Sequence, residues 1–126
     1  MVLRSGIDLI EIDRFQRVLE RFGDRFLGRV FTQQELEETR RDTASLAARF
    51  AAKEAVSKAL GTGIGAVSWH EIEIRRGPAR EPVLHLHGAA SELAQEQNLT
   101  TWSVSLSHSQ RYAVALAVAL GRQKEI

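Results

Sequence analysis

Two carboxylates stand among residues suited to burial. Asp8 lies within Gly6-Ile7-Asp8-Leu9-Ile10, and Glu54 within Arg49-Phe50-Ala51-Ala52-Lys53-Glu54-Ala55-Val56-Ser57-Lys58. A carboxylate buried without a partner costs several kcal/mol, so it shifts its pKa or finds a cation. The plainer reading of Asp8 is an acid at a strand end, capping a turn in water, and one Asp alone does not displace that. Glu54 adds weight. At about 100° per residue, Glu54 and Lys58 share a helix face with Phe50 and Ala47, while Lys53 points elsewhere. The ordinary alternative is a solvated i, i+4 pair; the small residues around it favour close packing with room for a ligand. Two carboxylates without cysteine suit a hard, oxygen-seeking cation such as Mg²⁺, which takes one or two carboxylates plus substrate phosphates and waters. A diphosphate bound there would want a further cation, and Lys58 is one turn away.

Three other groups belong in the same inventory. Gly61, Gly63 and Gly65 follow a helix rather than a strand, which rules out a dinucleotide fingerprint, and the run is not a Walker A motif. Gly61 alone would cap the helix; the other two glycines suggest a backbone that must come close to something, such as an extended ligand. His108 ends a strand beside Ser107 and Ser109, where it could bind phosphate, move a proton or simply occupy a turn. Arg14, Arg17 and Arg21 recur at i, i+3, i+7 beside an apolar helix face, with Arg25 extending the stripe if the helix survives Gly23. Such a stripe suits an acidic partner helix, or else it is a solvated face shared with Glu11, Asp13 and Glu20. His85 and His87 share one strand face and read as ordinary exposed residues, and His70 carries no signal.

The elements that must position these groups read as one α+β domain over residues 1–126. A strand is expected from Val2 to Ile12 and a helix capped by Asp13, with Phe15, Val18, Leu19 and Phe22 on its apolar face. Gly23 is a possible end for that helix, with a further turn reaching Phe31. Thr32-Gln33-Gln34-Glu35 has the form of a capping box. Thr43 to Leu60, rich in alanine and free of Gly and Pro, is the strongest helix. Strands follow at Trp69 to Arg76 and Pro82 to His87 around Gly77-Pro78, then a helix from Gly88 to Gln97, then strands Thr101 to Ser107 and Arg111 to Leu120. In the strand before the last, Trp102, Val104 and Leu106 face one way and the serines the other. The last strand sets large residues on one face and four alanines on the other. Both faces want cover, and a partner subunit is a reasonable cover for the alanine face.

The 126 residues are 44% hydrophobic and 26% charged, a globular balance, and 17 Lys+Arg against 16 Asp+Glu leave a formal charge of +1. That excludes a strongly basic nucleic-acid arm, and without a general basic excess nucleic acid is the poorer partner for the arginine stripe. Cysteine is absent, which rules out a disulfide framework and thiolate metal sites. No apolar leader core follows Met1, and Tyr112 to Leu120 falls short of the ~20 residues of a membrane helix. A soluble, cytoplasmic protein is expected.

Taken in order along the chain, these segments resemble the holo-[acyl-carrier-protein] synthase family, the small bacterial 4′-phosphopantetheinyl transferases. The likeness rests on Gly6 to Arg14, on Arg49 to Gly65, on Ser105-Leu106-Ser107-His108-Ser109, and on Phe31-Thr32 with Glu35. It implies an antiparallel sheet packed against a long helix in a trimer-forming fold, with coenzyme A bound at each interface of a homotrimer. It implies Mg²⁺ on Asp8 and Glu54, bridging to the coenzyme A diphosphate. Arg49, Lys58, Gly61, Gly63, Gly65 and His108 fall where relatives contact coenzyme A, and Arg14 where relatives meet an acidic carrier helix. Arg17 and Arg21 join Arg14 by charge pattern alone. The implied reaction moves 4′-phosphopantetheine from coenzyme A to a serine of apo acyl carrier protein, in fatty acid biosynthesis, and releases 3′,5′-ADP. Glu54, Lys58 or a metal-bound water could take the serine proton. Two competing readings remain: an Mg-dependent phosphohydrolase using the same acids, and a non-enzymatic trimer that binds an acidic protein.

Overall fold

The computed structural model describes residues 1–123. The first strand, β1 (Val2–Glu11), runs straight into helix α1 (Ile12–Val30), followed by α2 (Gln33–Thr39) and α3 (Thr43–Leu60). Strands β2 (Ile72–Arg76) and β3 (Pro82–Leu86) form an antiparallel hairpin, α4 (Gly88–Glu96) follows, and β4 (Leu99–His108) and β5 (Tyr112–Gly121) complete the chain. The main sheet has the order β1-β5-β4 and is antiparallel throughout, with β5 at its centre.

The strand register explains how the faces divide. Gly6, Asp8 and Ile10 stand opposite Ala117, Ala115 and Ala113, and across β5 lie Val104 and Leu106, so one face collects the small residues. That face packs on α3, whose own Ala51, Ala52, Ala55 and Ala59 are at most 2% exposed. Small side chains on both partners bring helix and sheet unusually close. Gly6 is the extreme case: a Cβ there would collide with the Ala55 carbonyl oxygen and lie 2.9 Å from Ala59 N. The cover over the alanine face of β5 is therefore α3 of the same chain, not a partner subunit. The opposite face is the one left open, with Leu3, Ile7 and Leu9 60–67% exposed and Leu116 42% exposed. A second apolar cluster lies between α1, α2 and the first half of α3, where Phe15 meets Phe26 edge-on and Phe50 at a tilt, and Phe50 stacks on Trp69.

Several boundaries differ from the sequence reading. Helix α1 begins at Ile12, so β1 ends at Glu11 and Asp13 sits inside the first turn, where its charge favours the helix dipole without capping it. Gly23, at φ 55 and ψ −135, breaks α1 into two segments, so Arg25 rides on a different segment from Arg14, Arg17 and Arg21. Phe22, just before the break, is 50% exposed instead of buried. Trp69–Glu71 is a 3₁₀ turn rather than the start of a strand, because Glu71 Oε1 accepts the Ser68 N–H at 2.7 Å and closes the turn. Thr32 and Glu35 do form the expected capping box, and α3 has the expected limits, with Gly61 at φ 85 as its left-handed cap.

Candidate functional site

The close approach of β1 to α3 brings Asp8, Glu54 and Lys58 together. Asp8 is on the helix-facing side of β1, two residues beyond Gly6, and Glu54 is the residue before Ala55, whose carbonyl touches Gly6. Lys58 Nζ donates to Asp8 Oδ1 at 3.1 Å and to the Ile7 carbonyl at 2.9 Å. The Glu54 carboxyl is pushed above its ordinary value, first by burial and then by the negative charge of Asp8; Lys58 opposes both. Among the described residues no ion pair reaches Glu54. Glu54, repelled by Asp8, and Asp8, paired with the one ammonium, make a site that gains from a compact divalent cation with oxygen ligands. No cluster of three or more His, Asp or Glu that could hold a metal occurs among the described residues.

The glycine run leaves α3 just beyond this group. Gly61, Gly63 and Gly65 have φ of 85, 65 and 139, and nothing lies within 4 Å of a Cβ built at any of them. Left-handed backbone explains these glycines; no other part of the chain crowds them. The loop lies open beside Lys58.

Arg49 and His108 do not join that cluster. On α3, Arg49 stands about 140° and 180° around the axis from Glu54 and Lys58. It lines a different cavity of about 230 Å³ together with His108, Ser107, Ser45, Arg76 and Arg80. The Arg49 guanidinium is largely buried, donating to Glu38 Oε1 at 3.0 Å and to the Ile74 carbonyl at 2.7 Å, so it anchors β2 as well as facing the cavity. The sequence reading missed Arg76 and Arg80, which with Arg49 set three guanidinium groups around this cavity alongside Glu81. Their only signal is charge near a turn, and Arg80 holds a left-handed φ of 67 there.

Arg14, Arg17 and Arg21 lie exposed on the first segment of α1. Arg14 edges an apolar pocket of about 320 Å³ formed by Leu9, Ile10, Phe15, Val18, Phe26 and Phe50. An acidic helix with one apolar side chain would match that combination of charge and hollow.

A buried polar frame also escaped the sequence reading. Lys53, the residue that points away from Glu54, is fully buried and pairs with fully buried Glu35 at 2.8 Å. Its ammonium also donates to the carbonyls of Trp69 and Ile72, while Glu35 accepts the N–H of Thr32 and of Ile74. Burial pulls the Lys53 pKa below its ordinary value, and Glu35 opposes that pull. Breaking such a pair by removing one partner costs about 3–5 kcal/mol. Beside it, Glu73 collects Thr32 Oγ1, Arg75 and His87 Nε2. His87 thus serves an acid, and His70 meets the Gly28 carbonyl.

Against proteins already described, residues 4–117 match the pattern of a family described as the 4′-phosphopantetheinyl transferase superfamily. The holo-[acyl-carrier-protein] synthase of Herpetosiphon aurantiacus is 47% identical over 127 residues, covering 95% of this chain and 100% of that protein. The one from Moorella thermoacetica is 49% identical over 120 residues, 93% of each. Among solved structures, Helicobacter pylori holo-[acyl-carrier-protein] synthase in complex with coenzyme A superposes with a TM-score of 0.85 at 34% identity, covering 92% of this chain and 99% of that one.

Proposed function

The chain belongs to the 4′-phosphopantetheinyl transferase superfamily, and on that premise we propose that it transfers 4′-phosphopantetheine from coenzyme A to a serine of apo acyl carrier protein. The observation that carries the residue assignment is the meeting of Asp8 with Glu54 and Lys58 where β1 touches α3. The serine hydroxyl oxygen attacks the β-phosphorus of coenzyme A, the bond from that phosphorus to the bridging oxygen breaks, and 3′,5′-ADP leaves. The donor set, two carboxylates without sulfur or a histidine cluster, fits Mg²⁺ held by Asp8 and Glu54. Bound there, the ion would neutralise charge on the diphosphate. Lys58 adds a mobile positive charge beside it. The candidates to take the serine proton are Glu54, a metal-bound water, or Lys58 in its neutral form, since an ammonium has no lone pair to accept it.

The remaining cofactor contacts favour a shared site. Arg49 and His108 open on one flank of α3 and the acids on the other, so a single extended coenzyme A is best served by two copies. One copy supplies Asp8, Glu54, Lys58 and the loop of Gly61, Gly63 and Gly65; its neighbour supplies Arg49 and His108. The open sheet face around Ile7 and Leu116 supports such assembly, and the family resemblance makes it a homotrimer. Arg14, with Arg17 and Arg21 beside it, meets the acidic carrier helix. The chain acts as a single domain. Among the described residues no helix is long and apolar enough to cross a membrane; the proposed work is cytoplasmic, in fatty acid biosynthesis.

The test is a mass measurement on purified apo acyl carrier protein after incubation with coenzyme A, Mg²⁺ and this protein. Gain of one phosphopantetheine is expected. Asp8→Ala and Glu54→Ala should each slow it by ~100-fold or more while leaving the fold intact. Full activity in either variant would remove the metal assignment. Release of 3′,5′-ADP from coenzyme A without carrier would point instead to a phosphohydrolase.

A further inference from the structure

Lys58 occupies a curious place for a half-exposed lysine. Its side chain is half exposed, yet its ammonium is held by two oxygens of β1, Asp8 Oδ1 at 3.1 Å and the Ile7 carbonyl at 2.9 Å. Glu54, one turn earlier on α3 and repelled by Asp8, has no ion pair among the described residues. The resting cluster therefore holds two negative charges and one positive one, with the positive charge seated on one of the two proposed metal ligands. A divalent ion arriving alone must displace or crowd that ammonium.

From this we infer that Lys58 exchanges partners during loading: it neutralises Asp8 in the empty site and moves to the coenzyme A diphosphate once that is bound. A lysine suits such an exchange, being a compact charge on a flexible four-carbon stem. Diphosphate binding then releases Asp8 for the metal, and metal binding releases Lys58 for the diphosphate. Each ligand raises the affinity of the other by the same factor, as linkage requires. This inference rests on the assignment of Asp8 and Glu54 as metal ligands.

Free Mn²⁺, counted by its paramagnetic resonance signal, reports metal binding without turnover. Wild-type protein should bind Mn²⁺ weakly alone and more tightly with coenzyme A present and carrier absent. K58Q, which removes the resident cation, should bind Mn²⁺ alone ~5-fold more tightly than wild type and show a smaller gain on adding coenzyme A. K58R, which keeps a cation beside Asp8, should bind Mn²⁺ alone as weakly as wild type. Equal or weaker Mn²⁺ affinity in K58Q, with wild type binding normally in the presence of coenzyme A, would overturn the exchange alone. No Mn²⁺ binding by wild type under either condition would overturn the metal assignment and the exchange with it.

Discussion

Glu73 is 4% exposed, yet Thr32, Arg75 and His87 all bond its carboxylate. Burial pushes its pKa up, but hydrogen bonds from Thr32, His87 and Arg75 outweigh that and bring it down to about 2 from an ordinary 4.5. A carboxylate whose folded pKa is depressed contributes stability above its unfolded pKa, and that contribution fades as pH falls from about 4.5 towards 2. Glu73→Gln should therefore lower unfolding free energy at pH 7 by about 2–3 kcal/mol. Its acid limb should also be shallower than that of wild type. Urea denaturation at pH 7 and near pH 3 reads both, and parallel acid limbs would mean that Glu73 is not the group responsible. The residues that were legible in advance were those that clash with their surroundings: an Asp between isoleucine and leucine, a Glu in an alanine-rich helix. Glu73 gave no such clash. Ile72-Glu73-Ile74 reads as a strand with its polar residue facing water, and the hydroxyl that buries it comes from Thr32, 41 positions away. Lys53 was hidden for a related reason: a helical wheel says that it points away from Glu54, but not that the other side is interior.

At the scale of elements, the site depends on how closely β1 lies against α3, and that distance is set at Gly6. A methyl group there meets the backbone of Ala55 and Ala59, which cannot rotate aside as a side chain would. Gly6→Ala should thus push β1 away and cost about 2–3 kcal/mol, the upper range for overpacking. It should also raise the Mg²⁺ concentration needed for transfer, because Asp8 moves with β1 while Glu54 stays on α3. Thermal unfolding together with Mg²⁺ titration of the transfer rate checks this. A helical glycine with free space beside it, Gly28, supplies the contrast: Gly28→Ala should leave the Mg²⁺ requirement unchanged. Loss of stability in Gly6→Ala without any change in Mg²⁺ requirement would separate the packing contact from the site. The helix limits of α3 were readable because capping and composition act locally. The kink of α1 was not, since Gly23 reads equally as an end or a bend, and its left-handed backbone is decided by how the two segments pack. Gly6 itself lay inside the strand expected from Val2 to Ile12 with nothing to mark its contact, for the helix it touches lies about fifty residues further on.

For the whole molecule, the proposed division of coenzyme A contacts across α3 is a claim about assembly that one mixing experiment can decide. In a closed ring of identical chains, each interface is heterologous, so one chain gives the acids and its neighbour gives His108. Asp8→Ala chains keep a sound His108 flank; His108→Ala chains keep sound acids. Each variant alone should transfer poorly. Mixed and reassembled in equal amounts, about a quarter of interfaces draw the acids from one variant and the histidine from the other, which restores a complete site. Recovery to roughly a quarter of wild-type transfer is therefore expected. Leu116→Glu carried by both chains should abolish the recovery. It sets a charge at the centre of the open sheet face, where Leu116 faces Ile7 and Ser105 across the neighbouring strands. Because that face is exposed in the single chain, the charge should cost the isolated fold no more than about 0.5 kcal/mol, and light scattering should report a monomeric mass. Recovery no greater than the sum of the two parents, in a mixture shown to have exchanged subunits, would mean that each chain completes its own site. The separation of Arg49 and His108 from the acids would then have to be closed by movement within one chain.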